Sequence, residues 1–204
     1  QQLSQVTNLA TQTSNAGSSS IWGLEAEFSA LVGDYLRLDG NIAFLDTEFD
    51  ELCTTDTRNT ALALDPGNCT FDDGAGGTFV TPNLAGNELP RAPDLTAFLA
   101  ATYERSLTNT LDGFVRAEWQ HTGDQFFSVF NRPNVAQDAY DLFNASIGVS
   151  ASDGRWNARL WVRNLADEEY FSNLFESGVT DALVIPQGFA GPPRTWGVSV
   201  GFNF

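Results

Sequence analysis

Trp196-Gly197-Val198-Ser199-Val200-Gly201-Phe202-Asn203-Phe204 is the stretch on which the fold turns. Trp196, Val198, Val200, Phe202 and Phe204 share one parity; Gly197, Ser199, Gly201 and Asn203 share the other. Period-two alternation is the pattern of a strand with one apolar face. Nine residues is about the span of one tilted transmembrane strand. Large aromatics at both ends match the girdles that flank the apolar band of a membrane barrel. A strand of a soluble sandwich shows the same alternation, so the decision rests on whether the pattern recurs.

It recurs upstream. Residues 155–163 put Trp156, Ala158, Leu160 and Val162 on one face and three arginines on the other. The preceding Ala151-Ser152-Asp153-Gly154 reads as a tight hairpin turn, because Asp-Gly readily supplies positive φ. Residues 138–150 alternate Phe143, Ala145, Ile147 and Val149 with Asn144, Ser146 and Gly148. Residues 111–121 alternate Leu111, Val115, Ala117 and Trp119 with Asp112, Arg116, Glu118 and Gln120. Leu95 to Tyr103, Leu36 to Phe44 and Trp22 to Val32 repeat the theme, with Arg37, Asp39, Glu25 and Glu27 on the polar faces. Residues 1–12 are a weaker candidate. The expectation is an all-β, antiparallel architecture of about eight strands, with no helical periodicity of useful length.

The connections alternate in length. Short ones fall near 33–35, 106–110 and 151–154, and long ones near 46–91, 123–137 and 167–192. Such one-sidedness fits an outer-membrane barrel, whose turns are short on the periplasmic side and long outside. A sandwich gives no reason for it. The apolar faces carry almost no charge, whereas the opposite faces carry many long charged side chains. Eight strands close around an interior just filled by side chains, so these groups suit one arc of a wider barrel.

Composition agrees. Acids outnumber bases 26 to 10, for a net charge of −16, and every base is arginine. Nothing here neutralises a run of phosphates, so nucleic acid is not an expected partner. No apolar run is long enough for a transmembrane helix, which leaves a barrel open as the way across a membrane. The chain has no Met, and Gln1-Gln2-Leu3-Ser4 lacks the marks of a signal peptide. The expectation is a fragment of a longer polypeptide ending naturally at Phe204, or else a processed mature chain.

Cys53 and Cys69 lie in a polar Gly/Asp/Thr-rich segment. An isolated pair closing a short loop suits a disulfide in an oxidising compartment; two reduced thiols are the alternative. The spacing is not that of a zinc site, and the single histidine, His121, is distant. No metal and no cofactor is expected. The segment from Asp46 to Asp73 is densely acidic and reads either as a Ca²⁺ or cation site or as a solvated loop; the regular spacing of a calcium loop is missing. Ser146 and Ser152 lack a nearby base, and the chain offers no convincing nucleophile–base pair, so an enzyme is not expected. Glu25 and Glu27 share a polar face and read as wall contacts rather than an acid–base pair. Phe126, Phe127 and Phe130 beside Arg132 form the candidate ligand-binding platform, with an interface girdle as the other reading.

Several segments together resemble the C-terminal part of TonB-dependent outer-membrane receptors. Trp161-Val162-Arg163-Asn164-Leu165-Ala166-Asp167-Glu168-Glu169-Tyr170 is similar to that family's penultimate strand and its exit. Gly191-Pro192-Pro193-Arg194-Thr195-Trp196 through Phe204 is similar to its closing strand. Gly23-Leu24-Glu25-Ala26-Glu27-Phe28, Leu89-Pro90-Arg91-Ala92-Pro93-Asp94 and Tyr140-Asp141-Leu142-Phe143-Asn144-Ala145 resemble segments further upstream. The resemblance implies a barrel of about 22 strands filled by a plug, with residues 1–204 as its C-terminal part and the N-terminal plug domain outside this chain. It implies import of a scarce nutrient such as a ferric siderophore, energised through the TonB complex via the missing plug. It implies outer-membrane lipid and the barrel-assembly machinery as partners, the latter reading Phe204 as an assembly signal. Two other functions stand beside it: an outer-membrane barrel hydrolase and a soluble acidic β-sandwich that binds carbohydrate.

Overall fold

A computed structural model describes residues 2–7, 10–15, 17–54, 56, 67–72, 77–177 and 185–203. Its strands are β1 (Gln2–Thr7), β2 (Ala10–Asn15), β3 (Ser18–Val32), β4 (Leu36–Glu51), β5 (Cys69–Asp72), β6 (Thr78–Thr81), β7 (Leu95–Thr108) and β8 (Leu111–Thr122). They continue as β9 (Gln125–Phe126), β10 (Ala136–Gln137), β11 (Tyr140–Ala151), β12 (Trp156–Arg163), β13 (Phe171–Ser177), β14 (Ile185–Ala190) and β15 (Thr195–Phe202). A 3₁₀ turn covers Pro133–Val135.

Seven long strands form one antiparallel sheet in the order β3-β4-β7-β8-β11-β12-β15, a meander in which each pairs with the next. The remaining strands form separate hairpins: β1-β2, β5-β6, β9-β10 and β13-β14. Of the expected arc of about eight strands, seven stand in this wall among the described residues. The candidate at residues 1–12 falls in the β1-β2 hairpin.

Register explains why one face stays apolar throughout. Val32 pairs with Leu36, Leu36 with Tyr103, Tyr103 with Val115, Val115 with Ile147, Ile147 with Leu160, and Leu160 with Val198. One row thus crosses all seven strands without a polar residue. The adjacent row, Leu31-Arg37-Thr102-Arg116-Ser146-Trp161-Gly197, is mostly polar or small. A slip of one residue at any pairing would mix the two rows. The apolar row has no covering layer: Val198 is 66 % exposed and Trp196 74 %. A sandwich would bury these side chains against a second sheet; a barrel presents them to lipid.

The connections sort by end. Gly33–Tyr35, Asn109–Thr110 and Ser152–Arg155 are tight and lie at one end of the sheet. Gly33 (φ 66°) and Gly154 (φ 73°) supply the left-handed backbone that two of these turns require. Residues 52–94, 123–139 and 164–194 make the long connections at the other end, and each carries one of the short hairpins.

One boundary differs from the sequence expectation. β4 runs on to Glu51, so Asp46, Glu48, Asp50 and Glu51 belong to a strand rather than to an acidic loop. Beyond Phe44 the strand inverts its patterning. Asp46, Glu48 and Asp50 are exposed on the parity that was apolar below, while Thr47 and Phe49 on the other parity are buried. A single alternating rule read from Leu36 ends where that inversion begins.

Candidate functional site: the loop layer and the inner face of the wall

Among the described residues, the main cluster of buried side chains lies above the wall rather than in it. Phe49, Leu52, Leu84, Leu89 and Val129 form a cluster of buried residues, with Ala92 and Phe130 packed against it. It joins the end of β4 to two long connections. Full burial of such side chains contributes about 1.5–3 kcal/mol each at most. Backbone bonds fasten it: Phe49 N–H donates to Asn87 O at 2.9 Å, Gly86 N–H to Phe49 O at 2.8 Å and Leu84 N–H to Leu52 O at 2.8 Å. Asn131 clamps from the second connection, accepting from Glu88 N–H at 2.6 Å and donating to Glu88 O at 3.1 Å. Its φ of 46° suits asparagine, which tolerates the left-handed region.

Arg132 links all three long connections. Its Nη1 donates to Glu176 Oε2 at 2.9 Å, and its Nη2 pairs with Asp56 Oδ2. The Glu176 and Asp56 side chains are only 4 % and 9 % exposed. Asn134 adds a 2.7 Å bond to Glu176 Oε1. Buried carboxylates require such pairing, since an uncompensated charge away from water is costly.

The aromatic candidates distribute around this network. Phe126 lies in β9, and its carbonyl accepts from Arg91 N–H at 2.8 Å. Phe127 N–H donates to Val135 O at 2.9 Å. Phe130 packs on the core while Arg132 stands over its ring at 4.5 Å. All three rings are half-buried. Arg132, engaged by two carboxylates and a ring, ties connections together at the point where the sequence suggested a ligand platform.

Cys53 and Cys69 are joined by a disulfide with Cα atoms 6.0 Å apart. It tethers β5 to the strand extension, where Cys53 also bridges to Asn83. Of the acidic segment, Asp56 serves Arg132, and Asp65 and Asp73 lie outside the described residues. Among the described residues no cluster of His, Cys, Asp and Glu suits a metal ion. Phe204 also lies outside the described residues. His121 sits on the apolar parity at the upper end of β8, with Nδ1 3.0 Å from Asp141 Oδ1; the same carboxylate accepts from Trp119 Nε1 at 2.8 Å.

A second feature was invisible as such in the sequence. Asn164, at the exit of β12, is buried with φ 49°. Its Nδ2 donates to Glu168 O at 2.9 Å and Pro192 O at 3.1 Å, and its Oδ1 accepts from Glu168 N–H at 2.8 Å. Its own N–H donates to Asn144 Oδ1 at 3.0 Å. Arg194 N–H donates to Asp167 Oδ1 at 2.9 Å. Tyr140 and Tyr170 stack at 4.4 Å, and Gly191 lies so close to the Tyr170 ring that a Cβ would collide with it. Burial pushes the Tyr170 phenol up from its usual range, and Tyr140 adds to the shift. Together these residues clasp the exit of β12 to the start of β15.

The inner face of the wall carries the polar row. Arg116 Nε donates to Glu118 Oε1 at 2.7 Å and its Nη1 to Thr102 Oγ1 at 2.8 Å. Arg37 lies 2.9 Å from Asp39, which also accepts from Ser29 Oγ at 2.7 Å. Glu25 and Glu27 are exposed on the same face. Long charged groups on a face with no covering layer suit a wide, hydrated lumen.

Comparison with known proteins bears on this geometry. The family model for the TonB dependent receptor-like β-barrel matches residues 1–165. Among solved structures, the ferric yersiniabactin uptake receptor FyuA from Yersinia pestis is similar with a TM-score of 0.70, at 20 % identity over 95 % of this chain and 25 % of that one. BauA, the ferric preacinetobactin receptor from Acinetobacter baumannii, gives 0.62 at 16 % identity, covering 98 % of this chain and 25 % of that one. The siderophore receptor PiuA from Acinetobacter baumannii gives 0.60 at 18 % identity, covering 93 % and 22 %. At these identities the likeness shows the fold, and the chain spans about a quarter of the length of the structures it matches. Curated protein sequences give no match. With the family model covering most of its residues, this chain belongs to the TonB-dependent receptors, a family of Gram-negative outer-membrane β-barrel receptors and transporters rather than enzymes.

Proposed function

We propose that this chain is the C-terminal part of the β-barrel of an outer-membrane active transporter. Its plug domain precedes residue 1 in the full receptor. The transporter imports a scarce small-molecule nutrient, such as a ferric siderophore, and is energised through TonB by way of that plug. The observation that carries this reading is the division of the wall: an apolar row across seven strands on one face, a polar row on the other, and every long connection at one end. Lipid meets the first face, the passage runs along the second, and the loop layer meets the nutrient outside the cell. The barrel-assembly machinery reads Phe204 as an assembly signal. The names of the similar structures, all ferric-siderophore or siderophore receptors, favour that nutrient class.

The test is uptake of radiolabelled ferric siderophores by Gram-negative cells carrying the full-length receptor as their one such transporter. Uptake should appear for one siderophore class and vanish when TonB is removed. Uptake that continues without TonB would overturn the energisation, and a receptor absent from the outer-membrane fraction would overturn the transport reading.

A further inference from the structure

The inner face of the wall is not electrically uniform. On β4 and β8 the arginines are engaged, Arg37 by Asp39 and Arg116 by Glu118 and Thr102. On β12 they are not. The Arg159 side chain makes no hydrogen bond or ion pair among the described residues, and the contact of the Arg163 side chain is the Trp161 ring, 5.5 Å away. Both side chains are exposed on the polar face. This is unusual placement in a chain whose net charge is −16, where carboxylates are plentiful.

Register shapes the ground beside them. Arg159 pairs with Gly148 on β11 and Ser199 on β15. Trp161 between the two arginines pairs with Ser146 and Gly197. The Phe114 ring lies over Gly148 and the Trp161 ring over Gly197. Trp161 is fixed by its Nε1–H, which donates to Ser199 Oγ at 3.2 Å. A recess of about 160 Å³ lies here, lined by Arg159, Trp161, Arg163 and Arg116, with one carboxylate, Glu118, which Arg116 engages. The Cα atoms of Arg159 and Arg163 stand roughly 13 Å apart along the strand.

We propose that this recess binds a small polyanion, a solute with two or more carboxylate or phosphate groups. The inference deepens the transport reading by naming the charge class of a solute on the passage wall, and it rests on that reading of the inner face. A guanidinium presents a planar fork matched to carboxylate and phosphate oxygens. Unpaired positive groups in a cleft raise the local concentration of anions. The Trp161 ring supplies a flat apolar floor beside them.

The test uses the full-length receptor in detergent, with citrate and pyrophosphate as probes. Phenylglyoxal modifies accessible arginines, and mass mapping reads each position. Citrate, pyrophosphate or both should protect Arg159 and Arg163, but not Arg105, which lies over Tyr35 on the opposite face. Chloride at equal ionic strength should protect none. By calorimetry, Arg159→Gln should weaken the protecting anion about tenfold, the worth of one charge-assisted hydrogen bond. Arg37→Gln should leave it unchanged. Equal modification with and without both probes would overturn the site. So would arginines unreactive under every condition, which would assign the stripe to an acidic protein surface of the same receptor. Either failure leaves TonB-dependent uptake untouched, whereas loss of that dependence with protection intact would sink the transport reading alone.

Discussion

Along β4, Leu36, Leu38, Ile42 and Phe44 face out of the wall, whereas Thr47 and Phe49, on the opposite parity, face into the core of the loop layer. The lower and upper halves of one strand therefore work in different media. In the wall, ladder hydrogen bonds satisfy the backbone and the apolar side chains stay exposed, so little is buried within the described residues themselves. Above it, side chains from the end of β4 and two connections make a small buried core, beside a charged knot that joins all three connections. The wall depends on parity and register. The loop layer depends on a few residues far apart in sequence.

Breaking the knot should separate the two regions most clearly. Arg132→Ala in the full-length receptor removes the cationic partner shared by two buried carboxylates, Asp56 and Glu176, an effect of about 3–5 kcal/mol. By hydrogen exchange, amides at 84–92, 126–137 and 171–177 should lose protection together while wall amides hold. If the wall loosens equally, the two regions are one unit; if only 126–137 responds, Arg132 joins nothing.

The wall should answer to parity alone. Val200→Arg places a charge on the lipid face, at about 2–4 kcal/mol near the bilayer midplane. Outer-membrane abundance should fall sharply. Ser199→Arg, one residue away on the inner face, should assemble nearly normally, and equal loss for both would contradict the division of faces.

The clasp lies between the regions and should show an intermediate effect. Asn164→Ala removes three side-chain hydrogen bonds and strains a positive φ, for about 1–3 kcal/mol. Asn164→Gly relieves the strain but not the lost bonds. Both variants should therefore increase protease cleavage near 164–170, alanine more than glycine. Equal cleavage would remove the backbone contribution.

The smallest effect should come from the Tyr140–Tyr170 stack. Tyr140→Leu keeps an apolar side chain and loses about 0.5–1.5 kcal/mol of ring interaction. A slight fall in the melting temperature of the full receptor is expected, with abundance unchanged.

How far the sequence reaches follows from the same comparison. The wall was legible because a sheet with one apolar face imposes alternation on every strand, and strands such as 111–122 and 156–163 largely obey it. Even the turn at Ala151 to Gly154 was readable from Asp153-Gly154, where Gly154 takes positive φ. The top of β4 was not, because its apolar parity switches sides above Phe44. The loop core was not, because Phe49, Leu84, Leu89 and Val129 follow no period. The run Phe126, Phe127, Phe130 was visible as a cluster, yet nothing local indicates that Arg132 beside it reaches Asp56 and Glu176. Asn164 stood in a quoted motif, but its part in the clasp depends on Pro192 and Asn144, distant in sequence. The one local hint was an asparagine, tolerant of left-handed backbone, just past a strand end.

The central claim is that the row ending in Val198 and Val200 faces lipid and the row holding Ser199 faces the lumen. Single cysteines at 198, 199 and 200 in the full-length receptor, probed with a reagent confined to the bilayer, test it directly. Positions 198 and 200 should label and position 199 should not, whereas labelling at 199, or at none of the three, would contradict the wall described above.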